Sequence, residues 1–335
     1  MRAAVLGDLG QPLTVGEVPD PVAGPGDVIL TVDACGICGS DLHASDVLPL
    51  EGMVLGHEFC GHVAEVGPDV EGWKVGDRAA GLSLATCGHC VACRTGRPRK
   101  CLAARMIGME LPGGYAEHVA LPAHDLVRLP NGLDARHGAL VEPLAVALHA
   151  VERARLEIGD HALVLGGGPV GLAVALWLRQ LGAREVVVSD PVAHRRQLAL
   201  QVGASATVDP TTQDVAGEFV ALTGAPPSLV IECVGVAGLL QQATDVAAVD
   251  GRVVIAGVCM SSETLVPFIP MMKELDVRFA FYYRLADFET TIDLMARQRI
   301  DPLPLVTSEI SLDEAPDAFE DLKSPTTECK VLIRP

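Results

Sequence analysis

Apolar and polar positions change their period after Pro130. Before it, short β-rich runs (AAVL, LTVGEV, DVILTVDA) alternate with Gly/Pro turns such as PVAGPGD, a pattern that predicts an antiparallel, barrel-like β domain closed by Met106 to Pro130. From Asp134 the apolar positions Ala139, Leu140, Leu144, Val146 and Ala147 take a helical spacing, interrupted at Pro143 and continuing through Val151 to Arg155, where the chain is expected to cross into a second domain. His161 to Asp190 then reads as a buried strand, a Gly-rich turn, an apolar helix, a Gly and a second strand, which is a βαβ unit. Strand-like runs at 206–209, 228–235, 251–258 and 275–283, interleaved with helices at Arg195–Val202, Asp214–Leu222 and Leu239–Val249, predict a six-stranded doubly wound parallel sheet. After Arg284 come two more helices, Phe288–Arg297 and Leu312–Leu322, and two β runs, LPLVTSEI and CKVLIRP. The class is α/β.

Composition narrows the functions this chain can have. Its 335 residues are too many for one ordinary core, and 49% are apolar, ample for two. There is no apolar run of membrane-spanning length, and MRAAVLGDLG reads as a strand rather than a signal peptide, so a soluble cytoplasmic protein is expected. A formal charge of −18 repels phosphate backbones and anionic membranes; nucleic acid and membrane are excluded as partners. The basic run Arg94 to Lys100 reads as a solvated loop. Aromatic residues are 4% of the chain, so a substrate pocket would be lined mainly by aliphatic side chains, with Val47 to Leu50 and Phe279 to Tyr283 as candidate walls or ordinary core.

The candidate chemistry begins at GHEFCGHVAEVGPDV, where His57 and Glu58 are adjacent metal donors and Gly61 and Gly67 allow tight folding beside them. Zinc binds imidazole, carboxylate and thiolate, and Cys38 in CGICGSDLH is the nearest thiol that could complete a catalytic site. The Cys35-x2-Cys38 spacing has a redox reading as well, with Cys35 as a small buried side chain the plainer one. Four of the ten cysteines, Cys87, Cys90, Cys93 and Cys101, fall within 15 residues as C-x2-C-x2-C-x7-C. Four thiolates so spaced wrap one ion with no open position, which predicts structural zinc; an iron–sulfur cluster is the alternative. His89 between them is expected to be exposed.

Gly166, Gly168 and Gly171 spell G-x-G-x-x-G, with Pro169 and Val170 opening the following helix. They lie between strand and helix, where a pyrophosphate meets the helix N-terminus. Asp190 ends the second strand and suits an adenine ribose, favouring NAD over NADP; Arg195 and Arg196 keep NADP open.

CGICGSDLH together with GHE-x2-G-x5-G-x2-V resembles the zinc-dependent alcohol dehydrogenases of the medium-chain dehydrogenase/reductase superfamily, on its sorbitol- and threonine-dehydrogenase-like side. The resemblance covers essentially the whole chain. It implies a GroES-like zinc-binding catalytic domain over 1–148, a Rossmann NAD-binding domain over 149–283, and a C-terminal segment, 284–335, that completes the catalytic domain. By resemblance Cys38 and His57 hold a catalytic zinc, with Glu58 or Glu142 as third ligand. Ser40 hydrogen-bonds the alcohol oxygen, His43 passes its proton to solvent, Asp41 steadies the ligands, and Lys330 meets Asp41 or Glu58. Val234, the backbone from Ala256 to Val258, and Phe281 flank the nicotinamide. Homodimers or homotetramers are implied, the pairing running through the last strand of the parallel sheet.

The implied activity is reversible, NAD-linked oxidation of a secondary or cyclic alcohol to the ketone, or of a primary alcohol to the aldehyde, in a cleft between the domains. A polyol, sugar or amino-alcohol dehydrogenase is the alternative within the same chemistry, and Glu142 leans that way. A non-catalytic NAD(H)-binding redox sensor is the alternative of another class, disfavoured by Cys38, Ser40, His43, His57 and Glu58, which binding alone does not need. A zinc-free quinone reductase would lack both ligand sets.

Overall fold

The computed structural model describes residues 1–324 and 327–335. It divides into two compact units: Met1–Glu142 with Tyr283–Arg299 and Val306–Pro335, and Pro143–Tyr282 with Ile300–Leu305. The boundary expected after residue 148 thus lies inside a helix, and Ile300–Leu305 joins the second unit rather than the first.

In chain order the elements begin with an antiparallel pair, β1 (Arg2–Val5) and β2 (Thr14–Glu17), followed by β3 (Asp27–Gly36), α1 (Gly39–Val47), β4 (Glu58–Val66) and β5 (Arg78–Gly81). Next come β6 (Leu84–Ala85), α2 (Val91–Arg94), β7 (Arg105–Met106), β8 (His118–Pro122), β9 (Leu126–Arg128) and α3 (Ala135–Arg153). The parallel part follows: β10 (His161–Leu165), α4 (Pro169–Gln180), β11 (Glu185–Ser189), α5 (Ala193–Gln201), β12 (Ala206–Val208), α6 (Val215–Thr223), β13 (Leu229–Glu232), α7 (Leu239–Val246), β14 (Arg252–Ile255), α8 (Phe268–Met272) and β15 (Asp276–Phe279). The chain closes with α9 (Leu285–Ala296), β16 (Val306–Ser311), α10 (Ala315–Asp321) and β17 (Lys330–Arg334).

In the first unit the sheet runs β16-β17-β3-β4-β5-β9, with β8 also paired to β3. β3 is its centre. Its inward positions Val28, Leu30 and Val32 join Phe59, Val63, Leu121 and Ile333 in one core, because alternate residues of a half-buried strand share a face. Gly61 lets β4 approach β3 closely; a Cβ there would stand 1.9 Å from the Thr31 carbonyl oxygen. The final strand β17 inserts beside β3, so the last residues of the chain belong to the middle of this sheet.

In the second unit the order is β12-β11-β10-β13-β14-β15, all parallel. Strands buried on both faces carry continuous apolar runs, as Ala162–Leu165 and Leu229–Ile231 do. The chain builds outward from β10 through β11 to β12, then returns to β13, leaving a topological switch between β10 and β13.

Pro143 does not interrupt α3, contrary to expectation. Proline removes one backbone donor, but Ala139 to Ala145 are all buried, and that packing holds the helix through the missing bond.

Candidate metal centre and nucleotide turn

Gly36 ends β3 where a side chain would not fit: a Cβ there would lie 2.1 Å from Glu58 Oε2. The chain turns at Ile37 into α1, so the segment expected as a Gly-rich loop is a helix, with Cys38 at its N-cap and Asp41 buried in its first turn. Asp41 accepts from the Cys38 N–H (3.3 Å) and from the Tyr115 hydroxyl (2.7 Å), and its other oxygen lies 3.1 Å from His57 Nδ1. With Nδ1 committed, His57 Nε2 is directed the other way, 3.5 Å from Ser40 Oγ, which donates to Cys38 Sγ at 3.1 Å. The donor atoms of Cys38, His57 and Glu58 lie within 4.8 Å of one another.

The electrostatics fit a cation. Burial disfavours a charged His57, yet Asp41 beside it overrides burial and raises the ring's proton affinity well above the usual range. A dication at Nε2 would take that proton's place, with the carboxylate–histidine pair orienting the ring. Burial likewise acts against the Asp41 carboxylate, and His57 and Tyr115 more than compensate, holding its pKa below the ordinary value.

Glu58 carries the opposite constraint. Both its oxygens meet Lys330 Nζ, at 2.7 and 2.5 Å, and the same ammonium donates to the Ile37 carbonyl at 2.9 Å. The pair is 1% exposed on each side. Glu142, from α3, is also buried, but its carboxylate is not among the three donors gathered within 4.8 Å. Burial pushes it up to about 7, Glu58 adding to the shift and His57, Lys330 and the Ser83 hydroxyl opposing it. His43 is exposed on α1.

Cys87, Cys90, Cys93 and Cys101 converge on one point around α2. Their sulfurs stand 3.9 Å (87 to 93), 3.5 Å (90 to 93) and 3.6 Å (101 to 87) apart. A tetrahedron of thiolates about 2.3 Å from zinc has edges of roughly 3.8 Å, so the spacing fits a closed structural site. Backbone N–H groups of His89 and Cys90 lower the Cys87 thiol to about 6, ready for metal, while burial raises Cys93 to about 11. His89 is exposed, as expected.

In the second unit Gly166 has φ +97°, a conformation that favours glycine, and a Cβ on Gly171 would stand 1.9 Å from the Gly166 carbonyl oxygen. The turn therefore needs both glycines. Gly168 caps α4, Pro169 is its first residue, and Gly171 to Leu178 are all buried. Asp190, 3% exposed, accepts from the N–H groups of Gly167 (2.8 Å) and Val192 (2.7 Å), which fixes the carboxylate beside the glycine turn. Arg196 is tied to the Asp190 and Pro191 carbonyls and to Asp209. Arg195 keeps a buried Nε that has no hydrogen-bond partner among the described residues.

Two family descriptions match in tandem, the alcohol dehydrogenase GroES-like domain over residues 24–131 and the zinc-binding dehydrogenase over 169–297. Among curated proteins, a 2-dehydro-3-deoxy-L-galactonate 5-dehydrogenase of Pseudoalteromonas atlantica is 36% identical, over 92% of this chain and 91% of its own. The sorbitol dehydrogenase of Gallus gallus is 34% identical over 91% and 88%. A solved structure from Sinorhizobium meliloti, described as a zinc-binding dehydrogenase bound to NADP, superimposes with a TM-score of 0.89 at 38% identity, covering 100% of this chain and 99% of that one. The chain belongs to the zinc-dependent medium-chain dehydrogenases.

It is accordingly an oxidoreductase acting on CH–OH groups with NAD or NADP, and its two units are the GroES-like and Rossmann-type folds of that family. Both cysteine-containing donor sets of this dehydrogenase fit zinc by ligand chemistry. None of its described helices is long and apolar enough to cross a membrane. Two residues of the site, Tyr115 and Ser83, carried no sequence signal, and Tyr283 was legible only as a candidate wall or core residue. Tyr115 steadies Asp41 from 74 positions away, and Ser83 and Tyr283 bond each other at 2.9 Å from 200 positions apart. Of the candidate pocket walls, Tyr283 is thus a buried anchor, while Val47, Phe279 and Phe281 are exposed.

Proposed function

We propose that this dehydrogenase reversibly oxidises a secondary hydroxyl of a small alcohol to the ketone, with NAD as acceptor and two zinc ions per chain, one catalytic and one structural. The observation that carries the reading is the convergence of Cys38, His57 and Glu58, with the Ser40 hydroxyl beside the first two. Cys38, His57 and either Glu58 or Glu142 would hold the catalytic ion. Cys87, Cys90, Cys93 and Cys101 would hold the structural one. Zinc held there would supply Lewis acidity towards the alcohol oxygen, and bound NAD would supply the hydride acceptor. Ser40 orients the hydroxyl and accepts its proton; exposed His43, one turn further along α1, passes it to water. Asp41 holds His57 in the ligating tautomer. Lys330 occupies both oxygens of Glu58 and would compete with an ion for that carboxylate, whereas among the described residues Glu142 meets no such ammonium.

In the second unit Gly166, Gly168, Pro169, Val170 and Gly171 would receive the pyrophosphate and Asp190 the adenine ribose; Val234 and Val258 would border the nicotinamide. Asp190 supports NAD over NADP, since a 2′-phosphate would meet a fixed carboxylate, while Arg195 is the group a 2′-phosphate would recruit.

The relatives favour a polyhydroxylated substrate within this reading: sorbitol for one, a deoxy sugar acid for another. A cytoplasmic homodimer or homotetramer completes the proposal. Its support is the free edge strand β15, with Phe268, Met271, Met272, Phe279 and Phe281 exposed on or near it.

The test is NADH formation by zinc-replete protein across primary, secondary, cyclic and polyol alcohols, repeated with NADP and after chelation. Turnover of secondary or polyol substrates that chelation abolishes is the expected result. Silence in both directions, with zinc and NAD bound, would leave the non-catalytic alternative.

A further inference from the structure

Glu232 ends β13 at the switch point, pairing in register with Leu165 of β10 and Ile255 of β14, and it is 2% exposed. A carboxylate buried so deeply needs a cation or several donors. Its donors are backbone. Oε1 accepts from the N–H groups of Val234 (2.6 Å) and Gly235 (2.8 Å), and the Gly257 N–H also favours its charged form against burial. The residue's own carbonyl accepts from Ala256 (2.8 Å) and Gly257 (3.0 Å). One side chain and its peptide thus bind the loops that follow β13 and β14.

The contacts among these loops leave no slack. A Cβ on Gly257 would stand 2.6 Å from Glu232 Oε2 and 2.2 Å from the Gly235 nitrogen, and one on Gly235, at φ +78°, would stand 2.5 Å from the Val258 carbonyl oxygen. Val234 in turn reaches the glycine turn, where a Cβ on Gly166 would come within 2.5 Å of its Cγ2. Val234 and Val258 keep exposed side chains on this rim.

A dinucleotide lies across such a switch point, its pyrophosphate on the first glycine turn and its adenosine ribose beside the acid that ends the neighbouring strand. Asp190 follows directly after β11, on one side of β10; the other nucleoside must extend to the opposite side, over the loops after β13 and β14. We infer that Glu232 is a positioning residue for the nicotinamide half of the cofactor, holding the Val234–Gly235 and Gly257–Val258 loops in the shape that receives it. The inference rests on the dehydrogenase reading proposed above.

The test compares NADH with ADP-ribose, which lacks the nicotinamide, as ligands of the whole chain by calorimetry. Glu232→Gln keeps the size but turns an amide N–H towards backbone donors; Gly257→Ala displaces the same loops from the other side and serves if the first variant folds poorly. Leaving one buried donor unmet predicts roughly tenfold weaker NADH binding, with ADP-ribose affinity held within about twofold of wild type. Retained ADP-ribose binding also reports an intact sheet and glycine turn, a readout that general unfolding would lose. Unchanged NADH affinity in both variants, or equal weakening of both ligands, overturns the inference. Wild-type protein that binds neither ligand overturns the dehydrogenase reading, and this inference with it.

Discussion

Lys330 and Glu58 illustrate how much one residue pair decides. Each charge is expensive to bury, and together, with the Ile37 carbonyl as third partner, they satisfy one another. Lys330→Met leaves a carboxylate buried and unpaired, so it should cost roughly 3–5 kcal/mol in denaturant unfolding of metal-free protein. The same variant frees Glu58 for metal, so zinc at the Cys38–His57 site should be retained, or held more tightly, by metal analysis after dialysis. A stability close to wild type, or loss of zinc from this site, would contradict the reading. Neither partner announces the other in sequence. His57-Glu58 was legible as a donor pair because its residues are adjacent, whereas Lys330 is 272 positions from Glu58 and reached the site only through the resemblance.

At the scale of elements, the cysteine lobe and α3 make separate predictions. The lobe from β6 to β7 has almost no apolar core of its own, as Val91 and Leu102 are exposed, so its shape depends on the ion. Cys93→Ser should release one zinc per chain and speed amide hydrogen exchange across about residues 84 to 106, leaving the parallel sheet as protected as before. Asp134 precedes α3 and accepts from the His137 N–H at 3.1 Å, capping the helix, with Arg136 at 2.9 Å. Asp134→Ala should cost ~1 kcal/mol at neutral pH. Although burial opposes it, Arg136 and His137 depress this carboxyl below its ordinary value, so the folded state binds its proton less readily than the unfolded chain. Its contribution is therefore present above the ordinary carboxylate range and lost as pH falls through the depressed value; wild type and variant should converge in acid. The glycine turn, α4 and the strands of the parallel sheet were legible as elements because their periods are local. The helical state of Gly39–Val47 was not, because its first turn is organised by Asp41, whose partners lie on other elements.

At the scale of the molecule, the first unit is assembled from three stretches of chain, and β17, the last strand, sits beside β3. A fragment ending near residue 142 would lack that strand and Lys330 together. In the second unit β15 pairs, among the described residues, with β14 on one side alone, and its Phe279 is 65% exposed. An exposed edge strand is a template for pairing with another copy, and a further unpaired charge in place of an exposed aromatic opposes such pairing. Phe279→Glu should shift the protein towards monomer in sedimentation while leaving its fold by circular dichroism unchanged. A wild-type monomer would remove the oligomeric part of the proposal.

Sequence alone determined whatever depends on neighbours along the chain. The four-cysteine spacing, the glycine turn with Asp190 after the second strand, the His57-Glu58 pair, and the order of strands and helices all follow from short-range spacing. Only the tertiary structure decided that Lys330 locks Glu58, that Tyr115 braces Asp41, that α3 runs unbroken through Pro143, and that Glu232 ties two loops at the switch point. The reason is physical. A buried polar group takes whichever donor the packed fold brings within hydrogen-bonding distance, and that donor stands anywhere from 2 to 293 residues away.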